Sequence, residues 1–125
     1  MTNFEKVSKW IFEKQGTEVK LGQVTLYFGK SLNRIFIHHN MNLEKNGLFA
    51  LLHECGHALQ PNGSTGVNRY KKIDEDRFPK KHKMLQFINE VDAWEKGLQI
   101  AEELGIQLDM KAFNKLKEES LMTYF

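Results

Sequence analysis

The chain has 125 residues, with 18 Lys+Arg against 16 Asp+Glu, 41% hydrophobic residues and a formal charge of +2. That is one domain's worth of protein, long enough to bury roughly two-thirds of its unfolded surface without disulfide support. Nine Phe, two Trp and three Tyr argue against intrinsic disorder, the small net charge makes no case by itself for nucleic acid or membrane, and one cysteine cannot close an internal disulfide.

The N-terminus, MTNFEKVSKWIFEKQG, spreads its charges and lacks the apolar run of a secretory leader. No segment approaches the roughly 18 apolar residues of a transmembrane helix. A lone cysteine suits a reducing compartment, so a cytoplasmic location is expected.

Thr2 and Glu5 form a capping-box pattern ahead of Phe4, Val7 and Ile11, which predicts a short amphipathic helix ended by Gly16. Two β-like runs follow, Gln23 to Phe28 and Arg34 to His38, with turn-like residues between them, so a hairpin is expected. A second helix is expected from an Asn42 cap to about Gln60, where Pro61-Asn62-Gly63 stops it. Leu48, Leu52, Cys55 and Leu59 define its core-facing stripe.

Pro61 to Lys81 has no period and reads as a long loop, a length that is often functional. It joins the second helix to a third, predicted from Lys81 to Leu104 with Gly105 as its cap, and is expected to gate or shape a cleft. Asp109 should cap a last helix to about Leu121. No repeat, low-complexity segment or linker divides the chain. One α+β domain over residues 1–125 is the expectation.

The chemistry concentrates in His53-Glu54-Cys55-Gly56-His57, an HExxH pattern inside the second helix. Two histidines at i and i+4 share a face and can hold one metal ion, while Glu54, roughly 100° around, can reach a water beside it. Cys55 falls on the apolar stripe and reads as inert packing. Chance gives on the order of 0.02 such matches in a chain of this composition, which favours a metal site over two surface histidines.

Catalytic zinc needs a third protein ligand and one open position. On the third helix Phe87, Glu90, Trp94, Gly97 and Ala101 share a stripe, and Glu90 is its one carboxylate. A buried carboxylate needs a cation, so Glu90 is either a metal ligand or paired with Lys or Arg. His82 is the rival third ligand. Asp92, Glu95 and Glu103 face the other way and read as solvated. Small Gly97 and Ala101 should let this helix approach the HExxH helix closely.

HECGH on one helix and NEVDAW on a downstream helix resemble the gluzincin branch of zinc metallopeptidases. The Glu90/Trp94 spacing is similar to the small cytoplasmic ImmA/IrrE-type peptidases of phages and mobile elements, and the segment EVDAWEKG to other minimal phage or bacterial HExxH proteins. The resemblance covers Leu48 to Gly97. It implies a zincin-like α+β fold, a Zn²⁺ cofactor held by His53, His57 and Glu90, Glu54 as general base, and a peptide or protein substrate. It also implies that the strand Arg34–His38 forms a cleft edge. Many secreted gluzincins carry an Asp four residues after the ligand Glu; Trp94 stands there. The extended metzincin pattern fails at Gln60 and Gly63, and a deformylase-like site lacks its upstream Cys.

Hydrolysis needs a second donor for the developing oxyanion. Tyr70 is favoured over Arg69 and His82, and any of the three can equally be an ordinary surface residue. His38 and His39, at a strand end, read as exposed more readily than as ligands. The basic residues between Arg69 and Lys83 are interrupted by Asp74, Glu75 and Asp76, so nucleic acid is an unlikely partner. A zinc-stabilised regulatory or protein-binding module is the competing function.

Overall fold

The N-terminal cap forms as the sequence predicts. In a computed structural model, which describes residues 1–29, 32–61 and 79–125, the Glu5 N–H donates to the Thr2 hydroxyl at 3.1 Å. This opens helix α1 (Asn3–Gln15), and Gly16, at φ 74°, closes it by donating to the Phe12 carbonyl. Val7 and Ile11 turn fully inward.

Three strands follow: β1 (Glu18–Gly22), β2 (Leu26–Phe28) and β3 (Arg34–His38). The hairpin exists, because β2 pairs antiparallel with β3. Its first arm is shorter than Gln23 to Phe28, and β1 is an additional strand, parallel to β3. The order β1-β3-β2 places β3 in the centre with both edges paired. It therefore has no free edge to offer an extended substrate, which corrects the cleft-edge expectation; the edges of this sheet are β1 and β2.

Helix α2 (Asn46–Ala58) starts later than an Asn42 cap predicts. Asn42 instead closes a turn, its Oδ1 accepting the Glu44 N–H and its carbonyl the Gly47 N–H. A single core-facing stripe was expected, but 11 of the 13 residues of α2 are buried. The helix is the central element, with α1 and the sheet on one side and the C-terminal helices on the other. This explains how polar Glu54 and His57 come to lie in the interior.

Helix α3 (Pro79–Glu103) begins at a proline, where the missing N–H leaves no helical bond unmade. It ends as expected at Gly105 (φ 68°), with the Ile106 N–H returning to the Ala101 carbonyl at 2.9 Å. Asp109 caps α4 (Met110–Met122), its side chain accepting the Ala112 N–H. The described residues thus form an α+β fold of four helices and a small mixed sheet. No helix among them is long and apolar enough to cross a membrane.

Two apolar clusters surround α2. The larger joins Val7, Ile11, Ile35, Ile37, Leu51, Leu52 and Cys55. The smaller is Phe49, Trp94 and Phe113, with Phe113 edge-on to both other rings at 5.5 Å.

Candidate metal centre

Helices α2 and α3 meet backbone to backbone. A Cβ on Gly97 would come within 2.7 Å of the Leu52 carbonyl, and one on Gly56 would overlap the Ala93 carbonyl. The close approach read from Gly97 is therefore present, and Gly56, inside the HExxH pattern, is its counterpart. This contact brings Glu90 over the histidine pair.

His53 Nε2 lies 2.7 Å from Glu90 Oε2, and His57 Nε2 lies 3.0 Å from the same oxygen. The pair of Nε2 atoms thus converges on one carboxylate oxygen. His53, Glu54 and His57 also form a group whose ligand-capable atoms all lie within 4.8 Å of one another, and this group could hold a metal ion. The two triads share both histidines. Glu54 Oε1, however, stands 3.8 Å from His53 Nδ1, the ring nitrogen opposite the one that faces Glu90. Convergence at Nε2 therefore selects Glu90 as the third ligand candidate and leaves Glu54 beside the site.

An ion bonded at 2.0–2.2 Å to tetrahedral N and O ligands holds them roughly 3.3 Å apart. The 2.7 and 3.0 Å separations fall a few tenths of an ångström short, so rotamer adjustments would admit an ion. A second observation bears on fit. Glu54 is buried, and its Oε2 has no hydrogen-bond partner among the described residues. Such an orphan costs about 1–3 kcal/mol, more when charged, and a metal centre with a water beside Glu54 would relieve it.

Both histidines are oriented from behind. The Gln60 amide donates to the Asn89 carbonyl at 2.9 Å and to Asp92 Oδ2 at 3.1 Å. Its Oε1 is then left facing His57 Nδ1 at 3.0 Å, so Nδ1 carries a proton, and Nε2, which donates to Glu90 here, is the nitrogen whose proton an ion would displace. His53 is held differently: its ring stacks on Trp94 at 4.2 Å between centroids, 10° from parallel. Trp94 thus fixes the plane of the His53 ring by stacking. Asp92 is half-exposed and paired with Lys96, as a solvated carboxylate would be, and its other oxygen supports the second histidine through Gln60.

The electrostatics follow from this packing. Burial opposes the charge on Glu90, but hydrogen bonds from His53 and His57 hold the carboxyl well below its usual range. Burial likewise opposes a proton on His57, yet its hydrogen bond to Glu90 and the nearby carboxylates raise it above its ordinary value. Glu54 is pushed up, first by burial and then by the Glu90 charge, against the two imidazoles and the Tyr27 N–H, which lower it. Cys55 is fully buried, its thiol raised far above the ordinary value, as expected for inert packing.

The fold thus brings together His53, Glu54, His57 and Glu90. Tyr70, Arg69 and the Pro61–Lys81 loop, apart from its ends, lie outside the described residues. His82 is buried near the start of α3 and does not belong to the group with metal-ligand spacing. His38 and His39 stack on each other, and His38 Nδ1 accepts the Asn40 N–H. Sequence reasoning missed two contributors: Gln60 and the β2 backbone at Tyr27. A glutamine three residues after the second histidine was the one available signal for Gln60. The chain matches no family model, no curated protein and no solved structure.

Proposed function

We propose that this chain is a zinc-dependent peptidase of the gluzincin type, with His53, His57 and Glu90 as metal ligands and Glu54 as general base. The observation that carries the reading is the convergence of two Nε2 atoms on one Glu90 oxygen, beside a buried and unpartnered Glu54 oxygen. When bound, zinc supplies a Lewis acid for a peptide carbonyl and lowers the pKa of water toward 7. A structural site would need no such free carboxylate.

Glu54 Oε2 takes a proton from the attacking water and returns it to the leaving amine nitrogen. Its raised pKa makes the carboxylate a stronger base toward water than an ordinary glutamate, and lets it carry the proton until the amine nitrogen takes it. The backbone N–H of Tyr27 steadies the carboxylate from the sheet side. Gln60 keeps His57 in the tautomer that ligation requires, and Trp94 fixes the plane of the His53 ring. The side chains of His53 and Glu90 keep 12% and 14% of their surface exposed, against 2% for His57, so approach is from the His53–Glu90 side.

Glu54→Gln tests the assignment. The amide keeps the size of the side chain but cannot act as a base. The variant is expected to bind zinc as the wild type does and to lose hydrolysis of a denatured protein or mixed peptide library by roughly 10²-fold or more. Equal behaviour of the two proteins in every hydrolysis assay would reject the peptidase and leave a zinc-stabilised protein-binding module.

A further inference from the structure

We propose that an apolar cavity beside the metal centre, at the start of α3, selects the substrate. It takes a bulky apolar side chain next to the cleaved bond, while Lys80 and Lys83 hold a carboxylate two residues further along the same peptide. The inference rests on the peptidase reading given above, with Glu90 marking the reacting end of the cleft.

The cavity measures about 430 Å³. Lys80, Lys83, Met84 and Phe87 line it from α3, and Tyr124 and Phe125 line it from the turn after α4. Phe87 joins the two walls, because the rings of Tyr124 and Phe125 both pack against it, at 6.3 and 5.2 Å between centroids. Met84 and Phe125 are exposed, so the lining is open to solvent. An apolar concavity of this size with a few charged groups has the make-up of a ligand pocket.

Its place relative to the metal centre follows from helix geometry. Phe87 stands three residues before Glu90, so the two are neighbours on the helix surface. Lys83 stands seven residues before Glu90, roughly 10 Å along the axis and only about 20° around it. The row Lys83, Phe87, Glu90 thus leads from the cavity to the side of the centre that keeps some exposure. An extended peptide returns to the same face every second residue, after roughly 6.6 Å. The step from Lys83 to Phe87 covers about 6 Å, close to that repeat. A peptide whose cleaved bond lies at Glu90 therefore sets its adjacent side chain at Phe87 and the one two residues on at Lys83.

Charge gives that second position its chemistry. Lys96 of α3 pairs with Asp92, and Lys117 of α4 pairs with Glu95. Lys80 and Lys83 have no ion-pair partner among the described residues, and none of the described residues lining the cavity is acidic. Two ammonium groups without a counter-ion, at the rim of an apolar cavity, favour Asp or Glu on the ligand.

Binding is read by fluorescence anisotropy on the Glu54→Gln protein with zinc present. The probes are labelled, end-blocked Gly/Ser/Ala peptides carrying Phe-Ala-Asp, Ala-Ala-Asp or Phe-Ala-Lys, each also made in reverse order. Loss of the Phe ring is expected to weaken binding about 10-fold or more, and exchange of Asp for Lys about 3- to 5-fold. Both lysines are exposed, so the double variant Lys80→Glu/Lys83→Glu should keep its melting temperature and now prefer the lysine peptide. A peptide with benzoylphenylalanine in place of Phe should cross-link to Met84. Equal binding of the three peptides, a charge preference unmoved by the double variant, or cross-links confined to residues outside the cavity would overturn the pocket. Wild-type protein that binds with these preferences but leaves the Phe-Ala-Asp peptide uncut would overturn the peptidase reading and keep the pocket. Cutting of all three peptides at one rate, with no preference in binding, would overturn the pocket and keep the peptidase.

Discussion

The two histidines of the HExxH helix stand one turn apart, yet their surroundings use different physics. His57 is deep, and a hydrogen-bonded chain through Gln60 to Asp92 fixes which nitrogen carries its proton. His53 is nearer the surface and lies flat on Trp94, with its Nδ1 3.8 Å from Glu54, beyond hydrogen-bond length. Behind the rings, hydrogen bonding fixes the Nδ1 proton of His57, whereas stacking fixes only the plane of His53. One histidine is thus chemically preset, and the other is only mechanically held.

The largest effect should come from removing the mechanical support. Trp94→Ala takes away the face under His53 and also one of the three rings of the Phe49–Trp94–Phe113 cluster, so a loss of about 3–5 kcal/mol is expected. Denaturant melts of the metal-free protein measure it, and Trp94→Phe should recover much of the loss by restoring an aromatic face. A loss under about 1 kcal/mol for the alanine variant would mean that the stack is incidental.

A smaller effect, aimed at metal binding more than at the fold, belongs to the His57 side. Gln60→Ala removes the partner that fixes the tautomer, and zinc affinity should fall about 10- to 100-fold. Chelator competition reads this directly. Trp94→Phe, measured alongside, should stay within a few-fold of wild type, because a ring plane survives the change whereas a tautomer preference does not. If the order of the two variants is reversed, the distinction between the histidines fails.

How much of this was legible beforehand depended on whether the signal was local. The HExxH spacing, the Thr2 and Asp109 caps, the stops at Gly16 and Gly105, and Glu90 on an apolar stripe are all written in short windows of sequence, and each has its counterpart in the fold. The strand β1 was missed because Glu18 and Lys20 alternate with few apolar residues on an exposed edge. Helix α2 was read as one-sided because periodicity marks the most apolar face and is silent about a helix covered on every side. Gln60 lies past the end of α2, where helical spacing gives no direction for a side chain. Its role depends on tertiary packing, as does its partnership with Asp92.

The last and smallest effect concerns pH, and it distinguishes the metal-free protein from the zinc-loaded one by sign. In the metal-free protein His57 is raised above its ordinary 6.5. Its stabilising contribution is therefore complete below that value and is lost as pH rises through the raised one. Glu54, raised above 4.5, adds a loss of the same sign, since its buried carboxyl holds a proton that the unfolded chain has released. Glu90, lowered from 4.5, stabilises above that value and loses its contribution as pH falls through its depressed one, well to the acid side. The metal-free melting temperature should therefore decline as pH rises from about 5 through neutrality. If zinc binds at His57 Nε2 as proposed, it competes with the proton there, so its binding should strengthen over the same interval and the zinc-loaded melting temperature should rise. Calorimetric scans of both forms at matched pH test this. Parallel trends in the two forms would mean that proton and metal do not share that nitrogen.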